Sequence, residues 1–162
     1  RRTFYSSLYR SLLTPSGATD VDGRYTGWDQ QVHEAEDFTY YQTFSLWDTY
    51  RSQNQLLALL RPQRARDIGR SLLAIHQQGG WLPRWGYANY DTNIMTGDPV
   101  TPFLVDLWRF GALQGNEAEA YAALRQNAFG QPPTNSRHAG RSGNASYLAN
   151  GYVQYDLSLI HI

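Results

Sequence analysis

The sequence predicts an all-α fold, on three observations. Apolar residues recur at helical spacing in five separate stretches. Pro, Gly or a capping side chain bounds each stretch, and none shows the sustained two-residue alternation of a half-buried strand. The intervals between stretches are long and rich in Tyr and Trp. Antiparallel helix pairs that carry function on such loops point to an α/α toroid or a helical bundle. Five helices are too few to close a ring of helix pairs.

The first helix runs from Thr3 to Leu13, with Phe4, Leu8 and Leu12 on one face and Tyr5 and Tyr9 beside them. Thr14-Pro15-Ser16-Gly17 stops it, because Pro disfavours helix in the residue before it and Gly frees the turn. Asp20 to Tyr25 reads as a loop turning on Gly23, and Tyr40 to Phe44 as a short extended piece. Ser45 is placed to cap a second helix that reaches Leu60, with Leu46, Tyr50, Leu57 and Leu60 apolar. Pro62 suits the first turn of a third helix, whose Ala65, Ile68, Leu72 and Ile75 follow helical spacing until Gly79-Gly80 ends it. A long loop spans 81–98. Pro99 or Thr101 opens a fourth helix carrying Leu104, Val105, Leu107 and Trp108. Glu117 to Ala128 forms a fifth, with acidic residues in its first turn as the macrodipole favours. Gly130 to Asn150 reads as loop.

Composition narrows the function. The chain has 162 residues, enough for one domain with a real core. Its net charge is zero, which gives no electrostatic footprint for nucleic acid or an anionic membrane. No apolar run approaches the roughly 18 residues of a membrane span. All fourteen basic residues are Arg. There is no Cys, so thiolate catalysis, disulfides and Cys-ligated zinc are excluded. The four His are scattered without zinc spacing, and His33-Glu34-Ala35-Glu36 lacks the second His of a zinc-protease helix. There is no phosphate loop, dinucleotide fingerprint or nucleophile elbow. The chain begins at Arg1 with no signal segment and reads as an internal piece of something longer.

Two stretches carry recognition chemistry. Phe38 to Arg51 packs aromatic rings around one carboxylate, Asp48, with Trp47 beside it. Rings offer rigid contact area and a carboxylate accepts hydrogen bonds from hydroxyls, a combination that suits sugars. The bland alternative is a helix start whose rings are core and whose Asp48 pairs with Arg51. Gly79 to Tyr87 holds Trp81 and Trp85 on a Gly/Pro-shaped turn, either a stacking platform for a sugar ring or a packed corner between helices. Asn89, Asp91 and Asn93 have the alternate spacing that opens a calcium loop, but the Gly and Glu that such a loop needs are absent. Asp98 stands before Pro99, where a helix N-cap is its commonest role. Asn144-Ala145-Ser146 matches the N-glycosylation triplet.

The run from Thr39 to Arg51, with its core Phe44-Ser45-Leu46-Trp47-Asp48-Thr49-Tyr50-Arg51, resembles glycoside hydrolase family 92, the calcium-dependent α-mannosidases. Asp20-Val21-Asp22-Gly23-Arg24-Tyr25, Gly79-Gly80-Trp81-Leu82-Pro83-Arg84-Trp85 and Thr92-Asn93-Ile94-Met95-Thr96-Gly97-Asp98 support it, in the family's order. The resemblance implies a β-sandwich joined to a catalytic (α/α)6 toroid. This chain resembles the first helix pairs of that toroid over residues 1–156, with the sandwich and the remaining pairs missing. Residues 157–162 do not resemble the family's continuation and read as a foreign tail.

The resemblance also implies exo-acting, inverting removal of terminal α-linked mannose, α-1,2 first among linkages, from glycans outside a bacterial cytoplasm. Calcium would assist, with its ligands outside these residues. The family's general acid, in a Glu-Gly-Asn-Ala-Trp-Gln-like motif, and its Asp-Asp base are absent here and expected downstream, so the fragment alone is expected to be inactive. The substrate-binding residues implied are Trp47, Asp48, Trp81, Trp85, Asn93 and Asp98. Rival readings are a trehalase-like or glucoamylase-like enzyme on the same toroid, and a helical module that binds carbohydrate without cleaving it.

Overall fold

The computed structural model describes residues 1–157 apart from Thr96, Asn135 and Ala139. It is mostly helical, with seven α-helices and three small antiparallel sheets among the described residues. The all-α expectation is therefore corrected by short strands. Helix α1 covers Arg2–Ser11, α2 Leu46–Thr49, α3 Gln53–Leu60, α4 Pro62–Gly79, α5 Val100–Arg109, α6 Glu117–Phe129 and α7 Asn144–Asn150. The strands are β1 (Ser16–Gly17), β2 (Arg24–Thr26), β3 (Val32–Glu34), β4 (Tyr41–Gln42), β5 (Gly86–Tyr87) and β6 (Tyr90–Asp91). β1 pairs with β4, β2 with β3 and β5 with β6. Of the tail expected at 157–162, residues 158–162 lie outside the described residues.

Helix α4 is the spine. Its Ala65, Ile68, Leu72 and Ile75 are buried as the periodicity predicts, and it packs against α3, α5, α6 and β4. Each fully buried Leu or Ile there contributes roughly 1.5–3 kcal/mol of transfer free energy. Pro62 opens α4, and Gly80, at φ 77°, closes it in the left-handed conformation that glycine adopts without a Cβ penalty. Gly69 has a packing role instead. A Cβ there would stand 2.6 Å from Leu113 Cδ2, so its absence lets the turn after α5 approach the spine.

The expected single helix from Ser45 to Leu60 is two. Ser52 turns to φ 57°, and the Gln55 amide reaches back to the Tyr50 carbonyl at 3.1 Å, which replaces a helical bond at the break. Helix α7 lies where a loop was expected. It has no long apolar stripe to announce it, and its anchor is tertiary: the Asn144 amide donates to the carbonyls of Ala128 (3.2 Å) and Gly130 (2.9 Å).

Two buried polar side chains of α4 fix the segment that leads to the candidate site. Ser71 Oγ accepts from Tyr41 N–H at 2.9 Å, and Asp67 accepts from Thr39 N–H at 3.3 Å. Strand β4 is thereby docked on the helix, and a buried backbone that would otherwise lack partners is satisfied.

Candidate functional site

The two aromatic stretches meet. Phe44 N–H donates to Gly86 C=O at 2.8 Å, and Gly86 N–H returns a bond to Phe44 C=O at 3.1 Å. This isolated bridge joins residues 42 positions apart in the chain, and it sets the start of α2 beside the turn that carries Trp85. A Cβ on Gly86 would approach Trp28 at 3.0 Å, so the absence of a side chain permits the close backbone pairing. Thr43, just before the bridge, sits at φ 67°. A β-branched residue in that region is an outlier whose strain is of order ~1–3 kcal/mol, and such strain clusters at functional sites.

On the α2 side, Asp48 is exposed and accepts a hydrogen bond from Ser45 Oγ. Ser45 therefore spends its hydroxyl on a side chain rather than on a helix N–H. The expected pairing of Asp48 with Arg51 does not form; Arg51 lies over the Tyr50 ring at 5.0 Å and donates to its hydroxyl. Trp47 is 42% exposed and meets Tyr50 edge-on at 6.2 Å.

On the other side, the two Trp of the turn have opposite fates. Trp85 is half-buried. Trp81 is 2% exposed, with its ring wedged where a Cβ on Gly130 would stand 2.9 Å away. This corrects the reading of Trp81 as a stacking face: no side of its ring is open to a sugar, and it anchors the base of the turn against the end of α6.

The turn itself is organised by Asp91, which spacing offered as a calcium donor. Its carboxylate accepts from Arg84 N–H (3.1 Å) and Trp85 N–H (2.7 Å). Its own N–H donates to Arg137 C=O at 2.7 Å. The carboxylate closes the loop backwards, onto N–H groups six and seven residues earlier, a longer reach than the two-residue Asx turn that local sequence patterns signal. Between β5 and β6, Ala88 (φ 48°) and Asn89 (φ 62°) form a two-residue loop with both residues left-handed, as tight hairpins require. Ala-Asn is a weak signature for it.

Two further predicted residues serve the scaffold. Asn93, exposed and at φ 56°, accepts from the Arg84 guanidinium through Oδ1. Asp98 is engaged within the scaffold on both carboxylate oxygens. One oxygen accepts from Asn127 at 2.7 Å, the other from Thr101 Oγ1 at 2.6 Å and from Arg141. It does not cap α5, whose N-cap residue is Pro99 with no side-chain cap bond, but it ties α5, α6 and the following loop together.

Nor do the donors at 89, 91 and 93 fit calcium, which takes about six to eight oxygen ligands. The Asn89 amide donates to Thr26 C=O, Asp91 is engaged by backbone N–H groups, and a guanidinium sits on Asn93. No cluster of three acidic or His side chains able to hold a metal ion exists among the described residues. The glycosylation triplet is likewise closed, because Asn144 is 3% exposed and its amide is already committed.

One of the four scattered His, His138, is buried. His138 stacks on Trp28 with ring centroids 4.6 Å apart, against Gly79. Burial drives its pKa from 6.5 down to about 4, against the attraction of the Asp91 carboxylate.

A mostly helical domain sets an exposed carboxylate, Asp48, and a half-buried Trp85 on a braced turn at the two sides of one backbone bridge. The chain matches the glycosyl hydrolase family 92 catalytic domain over residues 1–159, and it belongs to that family. A family GH92 alpha-mannosidase from Bacteroides thetaiotaomicron, solved with mannoimidazole, shares 31% identity with a TM-score of 0.83. The match covers 95% of this chain and 20% of that one. A family GH92 inverting mannosidase from B. thetaiotaomicron VPI-5482 shares 30% identity with a TM-score of 0.81, over 95% of this chain and 21% of the other. No curated protein matches the chain. The chain thus spans about a fifth of the length of the solved relatives.

Proposed function

We propose that this chain is part of a glycoside hydrolase that removes terminal α-linked mannose from glycans, with an α-1,2 linkage as the first substrate to try. The observation that carries the proposal is the 31% identity to an α-mannosidase over 95% of this chain. The Phe44–Gly86 bridge supports placing the terminal-sugar subsite here, with Asp48 accepting from ring hydroxyls and Trp85 and Trp47 supplying aromatic faces. Sugar hydroxyls are donors that an ionised carboxylate satisfies, and such contacts strengthen as the ring distorts toward an oxocarbenium-like transition state.

In this reading residues 1–156 are the first helix pairs of an (α/α)6 toroid. The apolar groove along Val105, Trp108, Tyr121 and Leu124, between α5 and α6, would be covered by later pairs of the parent protein. The acid and base would come from that remainder, with their carboxyls about 6.5–9.5 Å apart, as inversion requires room for a water. Calcium would be held there too. The described residues do not fit it. Export from a bacterial cytoplasm belongs to the same proposal; among the described residues, no helix is long and apolar enough to cross a membrane.

The test is mannose release from an α-1,2-linked mannobiose by the full-length protein, with calcium and after chelation. Calcium-dependent release with inversion is the expected result. Activity on glucosides instead would favour the trehalase-like or glucoamylase-like alternative, and binding without cleavage would favour a carbohydrate-binding module.

A further inference from the structure

We propose that Asp91 and Arg84 are positioning residues that hold Trp85 at the mouth of the sugar subsite; the inference deepens the function proposed above and rests on it. Trp85 is only half-buried, so packing alone does not fix its ring. Its backbone is instead held at every polar atom. The N–H donates to Asp91 at 2.7 Å, and the C=O accepts from Thr92 N–H and Thr92 Oγ1, both at 3.1 Å. The flanking residues are held as well. Arg84 N–H meets the same Asp91 carboxylate, and Gly86 is locked to Phe44 by the bridge. With the residue before, the residue itself and the residue after all fixed, the Trp85 Cα–Cβ direction is set before any ligand arrives. Such preorganisation is what a binding platform needs.

Arg84 closes the brace from inside. It is 5% exposed and donates to Asn93 Oδ1, yet its Nε meets no acceptor and no carboxylate pairs with it among the described residues. A guanidinium buried on a neutral amide is a poor choice for stability, because desolvation is not offset by an ion pair. Its geometric effect is specific: it ties residue 84 to the left-handed Asn93 and so clamps the two ends of the turn that Asp91 closes in the middle. Asp91 also links this turn to the Arg137 segment, which gives the brace a third support.

The test is a double-mutant cycle in the full-length protein, with an aryl α-mannoside as substrate and 5-fluorotryptophan as a reporter. Trp85→Phe assigns the fluorine line of Trp85. Asp91→Asn keeps shape and one acceptor but loses the paired carboxylate, and Arg84→Lys keeps charge but loses the fork. Both are expected to shift or broaden the Trp85 line and leave in place the line of Trp108, which lies on α5 away from the turn. Asp91→Asn is expected to raise KM about tenfold with a smaller change in kcat, and to add nothing further on top of Trp85→Ala. An unmoved Trp85 line, or KM effects of Asp91→Asn and Trp85→Ala that multiply in the double variant, would overturn the brace. Because the fluorine readout does not need turnover, it separates the two readings. A displaced Trp85 line in a protein without mannosidase activity would sink the proposed function and leave the brace standing. Arg84→Met, which restores no donor, guards against a folding artefact: it must displace the Trp85 line at unchanged melting temperature, and a lower melting temperature with an unmoved line would contradict the inference.

Discussion

Helix α1 and the turn 81–93 carry comparable loads of aromatic side chains. In α1, Phe4 and Tyr9 are 64% and 67% exposed and no residue of the helix is buried. Only its C-terminal end is tied down, where Gln53 donates to the carbonyls of Ser11 and Thr14 and Arg64 to those of Leu12 and Pro15. In the turn, Trp81 is enclosed and Trp85 is held through its backbone on three sides. Ring density alone therefore says nothing about recognition. What marks the turn is polar bracing around a half-exposed ring, next to a strained residue and an exposed carboxylate. An amphipathic helix without partners is a surface awaiting cover.

That contrast can be broken in several ways. The largest stability effect is expected at the enclosed ring: Trp81→Ala leaves a cavity beside Gly130 and should cost about 3–5 kcal/mol, read as a lower denaturant midpoint. A loss below about 1 kcal/mol would mean that the turn does not depend on that anchor.

Next comes the carboxylate. In the full-length protein Asp48→Ala should remove about 3 kcal/mol of transition-state stabilisation, roughly a hundredfold in kcat/KM, with melting unchanged because the side chain is exposed. Unaltered kinetics would take Asp48 out of the site.

The buried imidazole gives a pH prediction. His138 has a folded pKa near 4, below its ordinary 6.5, so between those values the unfolded chain binds the proton and the folded chain resists it. Stability is then full above pH 6.5 and falls as pH drops toward 4, by up to about 3 kcal/mol. His138→Phe should flatten that slope in urea titrations between pH 4 and 7. An unchanged slope would assign the acid sensitivity to other groups. The smallest effect belongs to α1. Tyr9→Ser or Phe4→Ser should shift the stability of this chain by no more than about 0.5 kcal/mol, and a larger loss would show that the helix is packed after all.

Much of this was legible in the sequence where the signal was local. Helices α1, α4, α5 and α6 follow from apolar spacing and from Pro62, Gly80 and Glu117, all within a few residues of the effect. The site was legible in composition but not in arrangement. Trp81 and Trp85 look alike in the chain, and which one is enclosed depends on the end of α6, some fifty residues on. The Phe44–Gly86 bridge is a long-range pairing with no periodic signature. The family resemblance implied Asp98 and Asn93 as substrate-binding residues. Their partners, Arg141, Asn127 and Arg84, decide what the side-chain oxygens do, and pairing across the fold is invisible to spacing.

The most direct test is a crystal structure of the full-length protein with a mannose-configured inhibitor bound. The account predicts a hexose between α2 and the turn, with an Asp48 oxygen within hydrogen-bond distance of ring hydroxyls and Trp85 in van der Waals contact. A sugar bound elsewhere, with Asp48 and Trp85 both facing bulk solvent, would contradict it.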